Sequence, residues 1–476
     1  MLPHLAAEND YADRYFTPLR AVVAGLTAEL RSRLVEDDSS VPVLERGYWY
    51  YVRYEPGREY PIHARRAGSL EAPEEILLDV NELARGHEHY ALGSLEVSDD
   101  NTLIAYTEDT VGRLEYTLKV RAIAGGADRG VAVFPVEDDI AWAADNSTIL
   151  YVRKDRETLL GNEVRAVEIG SGRDRLLYAE ADPSFFLGVY RGRSGRFLYV
   201  VSQSTVATEY RYAAAADPAL GLQVVRRRER DHEYHVDDRQ HGGSDSFLVL
   251  SNQAAPNFRL LEAPLATLGD LTTWSERLAE RADVLLTGVD TFAGFVAVSE
   301  RVPAGPRLRL LVDGDGGLTG ERVLAARDAV GVVVLDDNPE YRTTTLRYVE
   351  SSPQRPDTTM ELDIATGAAR VLKIEQVPGI EPPTCEVELL YAPARDGARI
   401  PVTVMRRAAA APAAPAPLYQ TAYGAYGISS DATFSVARLS LLERGFVCAI
   451  AHVRGGQEQG RAWYDAGRLG HKRNSF

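Results

Sequence analysis

Cysteine is nearly absent from this chain: Cys385 and Cys448 are the only two in 476 residues, 63 residues apart, with no C-x-x-C and no further cysteine or histidine cluster to complete a metal site. That leaves no disulfide framework and no thiolate zinc site, and both read as core thiols. No run of about 18 apolar residues occurs, which excludes an ordinary transmembrane helix. The opening MLPHLAAENDYADRY has neither a basic n-region nor an apolar h-region, so no secretory signal is visible and a cytoplasmic location is expected. Positive charge is short as well. Lys and Arg number 53 against 69 Asp and Glu, a formal net charge of -16, which argues against nucleic acid or anionic lipid as partner and leaves basic ligands compatible.

The familiar catalytic signatures are missing too. Nucleophilic serine chemistry on a parallel sheet normally uses G-x-S-x-G at a strand-to-helix elbow. The nearest strings, GGSDS at Gly242 and GSG at Gly170, lack the spacing and read as turns. No H-E-x-x-H occurs. HEH at His87 and HEYH at His232 lack the helical i, i+4 context of a zinc ligand pair and read as surface or loop histidines. His452 ends an apolar run with no nucleophile beside it and reads as a hydrogen-bonded strand-end residue. Neither a cofactor nor a metal is expected.

What is present is a repeat. Apolar runs rich in β-branched and aromatic residues begin at Thr102, Thr148, Arg196, Ser246, Gly294 and Thr345, separated by 46, 48, 50, 48 and 51 residues. Four short strands fit in such a unit, and a lone four-stranded sheet cannot bury both faces, so units stack around an axis as propeller blades. Residues 75–375 make six or seven blades on this reading, with EILLDV near Ile76 and MELDIATG near Met360 available to close the ring. A pair of β-sandwiches is the competing arrangement. Ahead of the repeat, residues 1–74 hold an amphipathic helix capped at Thr17 with Pro18 in its first turn, followed by the strand-like GYWYYVRYE and EYPIHARRA.

After a break at VPGIEPPT the texture changes. CEVELLYAPARDGARIPVTVM reads as a hairpin turning at Asp396-Gly397, and AAAAPAAPAP as a solvated loop. LYQTAYG is a strand. Phe434, Ala437 and Leu441 share a helical face widened by Leu439 and Leu442, Gly445 closes the helix, and FVCAIAHV is a second strand apolar enough to be covered on both faces. Strand, helix, strand makes a βαβ unit of a doubly wound α/β domain occupying residues 376–476, with fewer strands than such a domain needs.

The string from YGAYGISSDATF (423–434) through RGGQEQGRAWYDAGRLGHKRNSF resembles the start of the peptidase domain in the prolyl oligopeptidase family, within it the oligopeptidase B branch. DDSSVPVLERGYWYYVRYEPGREYPIHARR, LGSLEVSDDNTLIAYTEDTVGRLEYTL and VPGIEPPTCEVELLYAPARDGARIPV resemble the same branch, so the likeness spans nearly the whole chain. It implies a seven-bladed β-propeller on a partial α/β-hydrolase domain, with residues 1–74 packing on the hydrolase part. It also implies a Ser/Asp/His triad that cleaves short basic peptides after Arg or Lys, whose three positions would follow Phe476, so that the chain alone would be inactive. A propeller-based peptide-binding module or pseudoenzyme is the other reading.

The resemblance gives two residues roles. Tyr423 matches a tyrosine whose hydroxyl faces the carbonyl oxygen of the scissile bond, and Gly424 lets the loop turn beside it. Tyr423 and Tyr426 could also be core aromatics. Asp431 matches one of an aspartate pair that receives a basic residue preceding the cleaved one, and Thr433 stands at the second position, which weakens that preference. Asp431 could equally cap the following helix. In Arg454-Gly455-Gly456-Gln457-Glu458 a glutamine replaces a family glycine, and a left-handed backbone there would be strained.

Overall fold

The structure, a computed structural model, describes residues 1–314, 317–379, 385–408 and 415–476. Strands account for most of it. Six sheets follow one another along the chain, covering residues 43–79, 91–179, 186–226, 234–278, 285–324 and 332–374. All are antiparallel meanders in which each strand pairs with the next in sequence, and all have four strands except the second, which has seven. That sheet is continuous because one long strand, Asp128–Trp142, pairs with Tyr116–Ala122 through its first half and with Thr148–Lys154 through its second, with a register shift between Val136 and Ile140.

The first strands of the sheets surround an axial cavity of about 1700 Å³, lined by Glu96, Trp142, Tyr190, Asp237, Asp290 and Asp336 among others. The strands second in each unit of the repeat form the next layer, and in five of them most residues are buried: Leu103–Asp109, Thr148–Lys154, Phe197–Gln203, Ser244–Ser251 and Phe295–Val302. Each is covered on both faces by the neighbouring sheets. Phe247, for instance, meets Phe197 edge-on at 5.6 Å between ring centres and Tyr212 at 4.9 Å, a packing aromatic pairs favour. These second strands are the runs that repeat at about 48 residues in the sequence, and their stacking around one cavity makes the region a propeller, not two sandwiches. Strand structure begins at Val43, so the first sheet takes in residues that the sequence assigned to the segment ahead of the repeat.

The N-terminal helix starts earlier than its expected Thr17 cap. Helix α1 (Leu2–Phe16) and helix α2 (Arg20–Ser32) are joined by a single 3-10 turn at Thr17–Leu19, and Thr17 instead bonds back to the Asp13 carbonyl. α2 ends at Arg33, whose guanidinium donates to Ser440 Oγ at 2.7 Å and Glu443 Oε2 at 2.6 Å, while Arg444 reaches back to Glu29.

The last part holds a four-stranded sheet. Strands β1 (Cys385–Pro393) and β2 (Arg399–Arg407) form the hairpin expected at Asp396-Gly397. Strand β3 (Leu418–Thr421), helix α3 (Val436–Glu443) and strand β4 (Val447–Ala451) form the βαβ unit, with β3 and β4 parallel and β4 inserted beside β2. Cys385, Met405, Leu442, Cys448 and Ile450 close its core against Val330 of the propeller, so both thiols are buried and free, and burial pushes both upward in pKa. α3 buries Leu439, Ser440 and Leu442, whereas Ala437, expected on the inner face, is exposed. Most of the VPGIEPPT break and of the alanine-proline stretch lies outside the described residues.

Candidate active-site edge

Parallel β3 and β4 end side by side, and the chain leaving each carboxyl end must pass the other; such an edge is where α/β sheets bind ligands. The loop after β3 is the Tyr423–Phe434 stretch, and the loop after β4 runs from His452 to Glu458. They interlock through glycine. Gly424 has φ +68°, and a Cβ there would lie 2.5 Å from Val453 Cγ2 and 2.9 Å from the Arg454 carbonyl oxygen. No other residue fits that approach. The Gly427 N–H donates to the Gly455 carbonyl at 2.9 Å, and the Gln457 side chain occupies the space a Cβ on Gly427 would need.

Gln457 itself is outside the left-handed region, so the strain expected where it replaces a glycine is not there. The loop obtains its left-handed turns from Gly455 and Gly460. Arg454 anchors it, donating to Asp396 Oδ2 at 2.5 Å in the β1–β2 turn and to the Asn474 carbonyl at 3.2 Å.

Tyr423 stands on the outer side of this edge, 52% exposed, and among the described residues its hydroxyl has no partner. Tyr426 is 79% exposed and sits at φ +54°. Neither is a core aromatic. His452 is the buried strand-end histidine the sequence suggests: Nε2 lies 2.8 Å from Thr403 Oγ1, Nδ1 lies 3.8 Å from Glu458 Oε1, and its carbonyl accepts from the Trp463 indole. Glu458 in turn accepts from the Ser430 N–H at 3.0 Å, tying the two loops together a second time.

Asp431 does not cap α3. That task falls to Ser435, whose Oγ accepts from the Arg438 N–H at 3.3 Å, because Asp431 lies four residues further out. Its carboxylate is instead held by Arg301 from the hairpin at the end of Phe295–Val302, with both guanidinium arms bonded at 2.6 and 2.9 Å. Thr433 presents its backbone carbonyl to Arg438. A second crossing joins the propeller to the short helix Arg461–Asp465 that follows this loop: Arg461 Nη1 lies 2.8 Å from Glu233 Oε1, and the Arg461 N–H donates to Asn257 Oδ1 at 2.8 Å. Arg301, Glu233 and Asn257 were not found from the sequence. They lie 130 to 228 residues from their partners, and no local spacing marks them.

The other histidines have structural surroundings. His232 is buried, not at the surface, 2.9 Å from Ser251 Oγ and stacked on Tyr234, and burial lowers its pKa to about 4. His235 is likewise lowered by burial. His87 lies beside Tyr90. Among the described residues no group of three or more His, Cys, Asp or Glu could hold a metal ion, and no helix is long and apolar enough to cross a membrane.

Four carboxyls that line the axial cavity, Glu96, Asp237, Asp337 and Glu375, are raised in pKa. Enclosure within the cavity, onto which its side chain opens, lifts Glu96 to about 7 with help from Glu45, and burial, aided by the neighbouring Asp238, lifts Asp237 to about 7 although Thr291 donates to it through both N–H and Oγ1 at 2.7 Å. A carboxyl raised in the folded state favours folding most below its unfolded value, and that advantage is lost as pH climbs through the folded value. Asp237→Asn stays neutral throughout. Its melting temperature relative to the wild type is therefore expected to gain about 2–4 °C between pH 5 and pH 8. A difference that stays flat across that range, in thermal unfolding followed by circular dichroism, rules the titration out.

Residues 2–375 match the family pattern described as "Prolyl oligopeptidase, N-terminal beta-propeller domain", and residues 432–476 match that of the "Prolyl oligopeptidase family". The dipeptidyl aminopeptidase BI of Pseudoxanthomonas mexicana is 41% identical over all of this chain and 67% of its own length; protease 2 of Moraxella lacunata is 29% identical over all of the chain and 69% of its own. Among solved structures, oligopeptidase B from Leishmania major superimposes with a TM-score of 0.93 at 29% identity, and the closed, antipain-bound oligopeptidase B from Trypanosoma brucei with 0.92 at 27%, each over 100% of this chain and 68% of the other. Since the propeller pattern spans the six stacked sheets and the peptidase pattern resumes at the helix that follows the Tyr423 loop, the chain belongs to the prolyl oligopeptidase family.

Proposed function

We propose that this chain is the propeller and leading peptidase strands of a serine oligopeptidase that cuts short peptides after Arg or Lys. The observation that carries the reading is Tyr423: a phenol without a partner among the described residues, at the carboxyl end of two parallel strands, fixed by a loop whose glycines admit no side chain. An O–H donor held there in advance suits an oxygen that gains negative charge as a nucleophile attacks the scissile carbonyl, and such donors contribute about 3 kcal/mol or more to the transition state. The reaction is acyl transfer through a serine ester, with Tyr423 and a backbone N–H sharing the oxyanion. The resemblance assigns serine, aspartate and histidine to the part of the fold that follows the matched stretch.

In this reading the propeller has seven blades. The long strand Asp128–Trp142 serves two of them, so the seven-stranded sheet counts twice beside the five four-stranded ones, 2 + 5 = 7. The propeller then runs from Val43 to Ile374, with α1 and α2 belonging to the peptidase side.

The 41% identity to a dipeptidyl aminopeptidase favours a second version of the same chemistry, release of dipeptides from a free N-terminus. Chromogenic peptides with Arg, Lys or Pro before the reporter, each with free and acetylated N-terminus, separate these readings when assayed with the complete gene product. Cleavage after Arg and Lys irrespective of acetylation is the expected outcome. Loss of cleavage on acetylation points to the dipeptidyl mode, and preferential cleavage after Pro refutes the basic specificity. Binding of the same peptides with no turnover identifies a peptide-binding module or pseudoenzyme.

A further inference from the structure

The carboxylate assigned to a substrate cation is already occupied by a cation of the protein's own. Arg301 and Asp431 form a two-armed pair at 2.6 and 2.9 Å, with side chains 14% and 27% exposed. Their elements belong to different parts of the fold: Arg301 ends a propeller strand one turn from the hairpin at Gly305, and Asp431 lies in the loop that carries Tyr423. Two parallel N–H to oxygen bonds satisfy one full edge of the carboxylate, the geometry by which a guanidinium would bind from any source.

We propose that Arg301 is a specificity-determining residue: an internal guanidinium that a basic peptide side chain must displace to reach Asp431. This rests on reading Asp431 as substrate-binding. The exchange replaces one guanidinium–carboxylate pair by another of the same geometry, so the net gain from a basic residue at that position is small. A neutral residue leaves the internal pair intact. Basic side chains therefore bind there with little preference, and when one does bind, the propeller hairpin loses its hold on the Tyr423 loop. The seam is then kept by the Arg461–Glu233 pair and by the Arg461 N–H bond to Asn257, both of which lie away from Asp431 in the sequence and are not touched by the exchange.

Thr433 sharpens the effect. With no second carboxylate in the loop, a single anion serves both the internal and the incoming cation.

The test uses fluorescein-labelled Ala-Arg-Arg-Ala and Ala-citrulline-Arg-Ala, which differ in one charge at nearly constant shape, with dissociation constants from fluorescence anisotropy on the wild type, Arg301→Gln, Arg301→Lys and Asp431→Asn. The wild type is expected to prefer arginine over citrulline by about two- to threefold, and Arg301→Gln to raise that ratio to about tenfold or more, as befits a freed, partly buried carboxylate. Arg301→Lys keeps a cation against Asp431 and stays near the wild-type ratio, which separates loss of charge from loss of packing. Asp431→Asn brings the ratio to about one. If Asp431→Asn leaves the wild-type ratio unchanged, the substrate-binding reading of Asp431 fails. If Asp431→Asn abolishes the preference but Arg301→Gln does not increase it, that reading stands and the exchange is overturned. Should Arg301→Gln not fold, as judged by its melting temperature, the same comparison is made in the wild type between 20 and 300 mM NaCl. Exchange predicts a ratio that stays within about twofold because both competing pairs are screened alike; a ratio that falls steeply overturns it.

Discussion

Tyr423→Phe is expected to lower the turnover number of the complete gene product about 100-fold on an arginyl chromogenic peptide while leaving the Michaelis constant within about twofold. The asymmetry follows from what the hydroxyl touches. Among the described residues it bonds to nothing, so its loss orphans no donor or acceptor and leaves the folded protein intact, and the melting temperature should hold steady. Phenylalanine keeps the ring and its packing. In the proposed role, what disappears is one donor to the oxygen where charge develops, and an interaction made only in the transition state appears in the turnover number, not in substrate affinity. A parallel drop in affinity would make Tyr423 a ground-state contact, and unchanged turnover would remove it from the mechanism.

How much of this could be read from the chain depends on the range of the forces involved. The propeller was legible because its second strands are covered on both faces, and that coverage writes a near-continuous apolar run into the sequence once per unit. The first sheet escaped the count. Its strand Tyr48–Arg53 is only half-buried throughout, so it reads as a strand but not as a member of the repeat. The joining of seven strands into one sheet through Asp128–Trp142 was invisible too, since it involves a register shift between Val136 and Ile140.

At the site edge, local rules worked where the cause was local. The glycines of the Tyr423 loop announced a close approach, and Gly424 against Val453 is that approach. Capping of α3 was one of two roles open to Asp431, because an aspartate ahead of a helix suits it, yet Ser435 sits at the boundary and takes it. The helix's inner face was centred on Ala437, which is exposed, whereas Leu439 and Leu442, expected at its margin, are the residues buried against the sheet. The Arg301–Asp431 pair could not be inferred at all. Nothing near either residue encodes a partner 130 positions away, and its formation depends on how the propeller sits on the peptidase strands.

Asp109→Ala is expected to destabilise the propeller strongly. Asp109 ends the strand Leu103–Asp109 and is 1% exposed. Its Oδ1 accepts from the N–H groups of Val111 and Gly112 at 2.8 and 2.9 Å, and its Oδ2 from those of Arg113 and Leu114 at 2.9 and 2.8 Å. One carboxylate thus organises a whole turn in which Gly112 and Leu114 both take positive φ. Truncation leaves four backbone donors without it, a cost of about 3 kcal/mol, or roughly 6 °C in the propeller's melting temperature. Asparagine should do little better, because half of it becomes a donor facing two donors. The four N–H bonds outweigh the opposing effect of burial and hold the Asp109 carboxyl below the usual range. A depressed carboxyl stabilises the fold above its unfolded value near 3.9, and that contribution is lost as pH falls through the folded value. The gap between Asp109→Ala and the wild type should accordingly be full at pH 7 and narrow only below about pH 4. A gap that is already closing at pH 6, or a loss under about 2 °C at pH 7, would mean that water or a rearranged turn satisfies those amides as well as the carboxylate does.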